Sequence, residues 1–395
     1  MTFLQILRRE WGILWKGRFP VAPILFLLPL AFTLAFGIIY YQNSVERIPL
    51  IICDEEQSPV SRTVIQAYSD SEKFSITGEV YHAEDMTDAL QSGSAIAALY
   101  IPADLSKKIK TGDPIDLLIL VDSANNMFGN AAMTAANEIN KTLAVGIASQ
   151  LLEAGNQLPQ AAMSMAYPVR MGIRIINNPT TGYSPFMLAG LTMNGLQIAI
   201  MLVICPLVAR EFHHRVYRKQ VPSWKIIAAK ILPVWGLSVL SFFVSLIFLH
   251  TCFAIPARGS FFDLGLIMAV FTLTVSCIMT LFAVCSPDEV MSLQEPLLYI
   301  MPGLLYSGLS WPDFYMNQLA EVIAFIFPMR HGADVVRDLL LSGYAPALYS
   351  QCLQMLLMGG LCLLLAWGVF IVRRRYGTVN LIRHVFRREK GETTL

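Results

Sequence analysis

Six long stretches of this chain contain no aspartate, glutamate, lysine or arginine: Phe19–Val45, Ile175–Ala209, Ile231–Ala257, Leu264–Pro287, Pro296–Pro312 and Leu339–Val372. A helix needs about 20 mostly apolar residues to cross a hydrocarbon layer of roughly 30 Å. Five stretches exceed that length; Pro296–Pro312, with 17 residues, sits at the lower limit. Its Pro302, Gly303, Gly308 and Pro312 loosen a helix and permit close packing, so this stretch reads as a broken or re-entrant element. Composition agrees, since hydrophobic residues reach 55% and charged residues only 14%, against about 25% charged in soluble domains. Too few charges remain to coat a water-soluble surface. Twenty-nine basic residues against 28 acidic ones leave no global basic field for nucleic acid. The expected fold is an α-helical polytopic membrane protein with six transmembrane helices. An α/β (α+β) extracytoplasmic domain is inserted after the first of them.

Orientation follows from the basic residues beside the spans. Residues 1–18 carry Arg8, Arg9, Lys16 and Arg18 against Glu10 alone, and residues 210–230 carry six basic residues against Glu211 alone. The tail 373–395 is rich in arginine, whereas 46–174 has 9 basic and 16 acidic residues. Six spans put the three basic segments on one side. Both termini are therefore expected in the cytoplasm and 46–174 outside it. Domain limits follow: 1–18 an interfacial amphipathic helix, 19–45 the first span, 46–174 the exported domain, 175–395 the remaining five spans with the 210–230 loop and the basic tail. The first span starts too late, runs too long and lacks a small-residue cleavage pattern, so it is no cleaved signal peptide.

Segment 46–174 alternates strand and helix signals. Strands are expected at Ile48–Cys53, Phe74–Val80, Ser94–Ile101 and Ile115–Val121, with helices from Pro59, at Glu84–Gln91 and at Ala103–Ile109. Ser58 is positioned to cap the first, with proline in its opening turn. From Ala124 to about Leu158 the spacing is helical, a long return to the membrane. Cys53 is the segment's one cysteine, so no disulfide forms within it, and a buried free thiol on a strand is the plain reading. The acidic residues Asp54, Glu55, Glu56, Glu84, Asp85 and Asp88 read as solvated loop and helix N-terminus rather than metal ligands, because no His or Gly pattern supplies ligand geometry. No metal site and no catalytic residue is expected. Nucleotide-binding loops of the GxxxxGK[ST] and GxGxxG types and the HExxH zinc motif are absent, so the chain has no visible means of hydrolysing ATP.

Several polar residues lie within or beside the spans. Phe3, Leu4, Leu7, Trp11, Leu14 and Trp15 fall largely on one helical face, away from Arg8, Arg9 and Lys16, which suits a helix in the headgroup plane. Asn194 and Gln197 share a helix face with Met193 and Met201, either for hydrogen bonds between helices or for contact with cargo along a translocation path. Glu321, His331, Asp334, Arg337 and Asp338 are too costly to face lipid and are expected to pair among themselves around the turn that follows the fifth span. His250 reads as an interfacial or packed histidine.

Several motifs in order carry a family resemblance. Ile48-Pro-Leu-Ile-Ile-Cys-Asp-Glu-Glu-Gln-Ser-Pro-Val-Ser-Arg62 is similar to a strand, acidic loop and helix start. Ala97-Ala-Leu-Tyr-Ile-Pro-Ala-Asp-Leu105 and Leu120-Val-Asp-Ser123 follow. Then come Ile176-Asn-Asn-Pro179 through Gly190, Leu305-Tyr-Ser-Gly-Leu-Ser-Trp-Pro312, Phe327-Pro-Met-Arg330 and Val336-Arg-Asp338. In this order and spacing the chain resembles ABC-2 type (type V) ABC transporter permeases, specifically bacterial inner-membrane exporter subunits with a large periplasmic domain. The resemblance implies a dimer, with itself or with a sister permease, driven by a separate ABC ATPase subunit that holds the ATP and Mg; this chain then binds no cofactor. It further implies an elbow helix at 1–18, coupling to the ATPase through Arg210, Glu211, Pro222, Ser223, Trp224 and Lys230, and a gate around Pro302, Gly303, Gly308, Pro312, Glu321, Pro328, His331 and Arg337. A periplasmic adaptor and outer-membrane channel are further partners by analogy, and drugs or other amphiphiles the expected cargo. One departure stands out. After Arg210-Glu211 the family's GT-x-E helix is replaced by Phe-His-His-Arg-Val-Tyr-Arg-Lys219, which implies an altered coupling contact. A rival reading is a membrane receptor or assembly scaffold that binds its ligand through the exported domain. A secondary transporter would show matching halves, and none is visible.

Overall fold

The computed structural model describes residues 2–16, 20–41, 45–111, 113, 116–154, 166, 176–178, 182–214, 217, 221–311 and 315–376. The chain divides into two compact units, one of Met1–Asn43 with Ile175–Leu395 and the other of Ser44–Arg174. The first unit opens with α1 (Phe3–Lys16) and α2 (Ile24–Ile39). Ile6, Glu10 and Leu14, spaced four apart, form the buried stripe of α1. The apolar residues expected on one face, Phe3, Leu4, Leu7, Trp11, Leu14 and Trp15, share an arc of about 120° on the helix. Leu14 is buried and Phe3 and Leu7 pack partly against the core, but Leu4, Trp11 and Trp15 are 59%, 47% and 43% exposed. That face is packed against protein along one edge and left open along the other, as at a headgroup layer.

Residues Ser44–Arg174 form an α/β unit. Its elements are β1 (Ile48–Asp54), α3 (Pro59–Ser69), β2 (Phe74–Val80), α4 (Ala83–Gln91), β3 (Ala97–Ile101), α5 (Leu105–Thr111), β4 (Leu118–Val121) and α6 (Asn126–Ala154). The sheet order is β2-β1-β3-β4. β1 runs parallel to both neighbours and β4 antiparallel to β3. Alternation along β1 serves two cores. Ile48, Leu50 and Ile52 pack with Val64, Tyr68, Ala132 and Ala136, while Cys53 packs with Met86 and Ala98 on the other face. A central strand covered on both faces reads as a continuous apolar run, the signal visible in the sequence. A bulge in β2 shifts the register after Leu50, and the Thr77 hydroxyl donates to the Leu50 carbonyl at 3.3 Å. Ser58 caps α3, its Oγ accepting from Val60 and Ser61 N–H, while Ser61 Oγ accepts from Ser58 N–H at 2.9 Å. Asp54 accepts from the N–H of Glu56 and of Gln57, each at 3.0 Å, and Glu56 accepts from Ser106 N–H. These carboxylates are engaged in holding the loop.

The first unit resumes with α7 (Tyr183–His214), α8 (Ser223–Phe253), α9 (Phe261–Cys285), α10 (Met291–Leu305), α11 (Gln318–Ala324), α12 (Pro328–Ser342) and α13 (Leu348–Tyr376). Four of these, α7, α8, α9 and α13, are long and apolar enough to cross a membrane, and α2 is a shorter apolar helix. α7 and α9 are the most enclosed of these four; in α9 the Thr272, Ser276 and Thr280 hydroxyls donate to carbonyls four residues back, which satisfies them without water. Thr274 Oγ1 instead donates across to the Met355 carbonyl of α13 at 2.9 Å. Gly359 makes that approach possible, since a Cβ there would lie 3.1 Å from Thr274. The Trp235 indole donates to Ala269 O at 2.8 Å, tying α8 to α9, and Thr33 of α2 meets Thr192 of α7 at 2.7 Å.

Candidate functional site

At one end of the helical unit, groups distant in sequence converge on Tyr217. Lys230 Nζ lies 3.1 Å from Glu10 Oε1 and donates to Leu207 O at 3.0 Å. The Tyr217 hydroxyl donates to the same Glu10 oxygen at 2.7 Å. Its backbone N–H donates to Glu211 Oε1 at 3.1 Å, and Arg9 stands 5.1 Å over its ring. Burial, followed by the hydrogen bond to Glu10, pushes the Tyr217 phenol well above its ordinary range. Glu10, Glu211, Tyr217 and Lys230 are all buried. α13 closes the cluster from its basic end: Arg374 donates to Val221 O at 2.6 Å, and Arg373 donates to Val284 O and Ser286 O under the cover of Phe212. α1, the end of α7, the start of α8 and the end of α13 are thus pinned to one another.

Of the residues expected to touch an ATPase, Arg210, Pro222 and Trp224 are exposed, Ser223 is half-buried, and Arg210 pairs with Glu289 at 3.1 Å. Glu211 and Lys230 are enclosed: Lys230 pairs with Glu10, and Glu211 accepts from the Tyr217 N–H. Arg215, Arg218 and Lys219 lie outside the described residues. Glu10 and Tyr217 are members of this cluster that the sequence reading missed. For Glu10 a signal existed, because an acid four residues from both Ile6 and Leu14 must share their buried face. Tyr217 carries no such local signal.

Met193, Asn194, Gln197 and Met201 are all buried in α7. The amide oxygens Asn194 Oδ1 and Gln197 Oε1 are buried without a hydrogen-bond partner among the described residues.

After α10, the chain turns at Gly308, whose φ of +81° suits glycine. Pro302 lies inside α10 and Pro328 in the first turn of α12. A Cβ on Gly303 would lie 3.2 Å from Phe327. Phe282, Tyr299 and Phe327 meet in tilted ring contacts, Tyr306 stacks on Phe327, and the Tyr299 hydroxyl donates to Ile326 O. Pro312 lies outside the described residues. The expected mutual pairing is half right. Arg337 pairs with Asp334 at 2.9 Å and with Asp338 at 4.0 Å, and stands 4.7 Å over the Phe186 ring. His331 instead uses both ring nitrogens elsewhere, on Gln351 Oε1 at 2.6 Å and Phe325 O at 2.9 Å. Glu321 is exposed in the first turn of α11, where a helix N-terminus favours an acid. His250 is exposed, and its Nδ1 meets the Ile255 carbonyl at 2.9 Å.

Long apolar helices, buried hydroxyls bonded within their own helices, and charges gathered at helix ends define an integral membrane protein with several spans. Residues 23–367 match the ABC-2 family transporter proteins; the chain belongs to that family of transporter permeases. Over 327 residues it is 23% identical to a protein named "Probable multidrug ABC transporter permease YbhR" from Escherichia coli (strain K12), spanning 82% of this chain and 83% of that one. The protein of the same name from Escherichia coli O157:H7 matches equally.

Proposed function

We propose that this chain is the permease subunit of an ATP-driven exporter, forming the path as a dimer and powered by a separate ABC ATPase. In this reading α2, α7, α8, α9, α10 and α13 are the six spans, and both termini lie in the cytoplasm. Ser44–Arg174 lies in the periplasm of an inner-membrane protein. The observation that carries the coupling assignment is the buried Glu10–Lys230–Tyr217 cluster. It binds an interfacial helix, the 210–230 connection and the last helix at one end of the unit, with Arg210, Pro222 and Trp224 exposed beside it. A push delivered there moves several helices together rather than one loop. Export requires ATP-bound and ATP-free states to contact this end differently. The ATP and Mg belong to the partner, and this chain carries no catalytic group for hydrolysis. α7 is the proposed wall of the path, supported by the unpaired amide oxygens of Asn194 and Gln197, and the turn through Gly308 to α12 the proposed gate. The relative's name supports drugs or similar amphiphiles as cargo.

The test is affinity purification in mild detergent with mass spectrometry of bound proteins. An ABC ATPase should co-purify, and only that complex should hydrolyse ATP. Turnover by the isolated polypeptide, or a signalling protein bound in place of an ATPase, would reject the assignment.

A further inference from the structure

A wholly apolar groove of about 450 Å³ opens between α8, α9 and α13, lined by Trp224, Ile231, Leu273, Cys277, Leu363 and Trp367 among others. Its volume falls within the range of built ligand pockets, roughly 300–1,000 Å³. It occupies the half of these helices that holds the start of α8 and the ends of α9 and α13. Trp224 and Trp367 are 53% and 41% exposed, and indoles favour the boundary between hydrocarbon and headgroups. The Lys225 ammonium stands 5.6 Å over the Trp224 ring, with no carboxylate paired to it among the described residues. Arg374 reaches Val221 O at 2.6 Å, so the basic end of α13 lies beside the same mouth.

We propose that this groove retains one phospholipid with an anionic headgroup, an acyl chain lying along α8 and α13 and the phosphate at Lys225. Apolar burial cannot select the occupant, because lipid tails are as apolar as the groove and leave no hydrophobic driving force within a bilayer. Shape holds the chain, and the cation chooses the headgroup. A Lys at a membrane surface favours an anionic lipid by about fivefold. The site is independent of the transport reading, since it requires only that these helices lie in a membrane.

The experiment is native mass spectrometry of the full chain in mild detergent, with phosphatidylglycerol and phosphatidylcholine added in equal amounts. The intact protein should retain one phosphatidylglycerol in about fivefold preference. Lys225→Gln should bring that ratio to near one while retaining a lipid, and Ala228→Trp, which fills the groove, should remove it. An unchanged ratio in Lys225→Gln overturns the proposal, as does undiminished lipid in Ala228→Trp. So does a dimer of the intact chain that Ala228→Trp converts to monomer, because the groove would then be covered by a second copy. If Ala228→Trp fails to fold, a phosphatidylglycerol with a diazirine on its acyl chain decides on the intact protein. Crosslinks at 273–277 and 363–367 support the site, and crosslinks confined to other helices reject it.

Discussion

Removing one member of the Glu10–Lys230 pair should cost far more than removing both. Lys230→Met leaves the Glu10 carboxylate fully buried with one remaining donor, the Tyr217 hydroxyl at 2.7 Å, while Glu10 Oε2 already lacks a partner. Breaking a buried pair in this way costs about 3–5 kcal/mol. Glu10→Leu leaves Lys230 with the Leu207 carbonyl at 3.0 Å and should cost a similar amount. The double variant buries neither charge. It orphans the Tyr217 hydroxyl, a penalty of about 1–3 kcal/mol, and adding Tyr217→Phe should relieve most of that. At roughly 2–4 °C per kcal/mol for domains of 150–250 residues, each single variant should melt about 6–20 °C below the parent. The double should melt about 2–12 °C below the parent, and the triple closer to it. The assay is tryptophan-fluorescence melting of detergent-purified protein at one fixed scan rate, because membrane proteins often unfold irreversibly. Two results would refute the reasoning: single variants that melt with the parent, or a double variant whose loss equals the sum of the singles.

Gly308→Ala should destabilise by about 1–2 kcal/mol, the cost of a Cβ in left-handed backbone, and Gly308→Asn by less; melting temperatures in that order check it. Gly359→Val should break the approach to Thr274 and lower the melting point more than Gly360→Val, since Gly360 has open space around it. Ser58→Ala removes the acceptor for the Val60 and Ser61 N–H groups of α3 and should cost about 1 kcal/mol, read as faster amide exchange in Val60–Arg62. Burial raises the Tyr68 phenol to about 12, partly offset by its hydrogen bond to Asn140. A neutral form favoured by the fold contributes stability in full below pH 10 that is lost as pH rises through 12, at most about 2.7 kcal/mol. The tyrosinate absorbance that disappears in Tyr68→Phe should therefore titrate near pH 12; a midpoint near 10 would count against its burial.

The α/β unit was legible almost residue by residue where the physics is local. β2 covers the expected Phe74–Val80, and α3 starts at Pro59 behind its Ser58 cap, because alternation and capping are properties of neighbours. The bundle was legible in kind and less so in extent. The charge-free window Phe19–Val45 contains a helix only over Ile24–Ile39, since absence of charge reports compatibility with hydrocarbon, not helicity, and Pro23 sits at the helix start. The window from Pro296 begins inside its helix. α10 starts at Met291 and carries Glu295, whose carboxylate accepts the Ser286 hydroxyl, so a satisfied acid near a helix end escapes a rule that forbids all acids.

Glu10 marks where counting charges misleads in the opposite direction. In a tally for orientation it merely subtracts from a basic segment, yet its carboxylate is what fixes that segment to the rest of the unit. The pair joins residues 220 positions apart, and Tyr217 lies 207 positions from Glu10, so no local pattern can reveal the contact. The same geometry bears on how an altered 210–230 segment can still transmit force. A coupling helix that docks by its own surface needs a particular sequence there. A segment held from below by Glu10, from within by Glu211 and from the side by Arg374 needs only to be rigid where it is pushed. In the proposed coupling, the departure after Glu211 therefore changes which surface a partner meets, while the buried anchors decide how far the displacement travels into α7, α8 and α13.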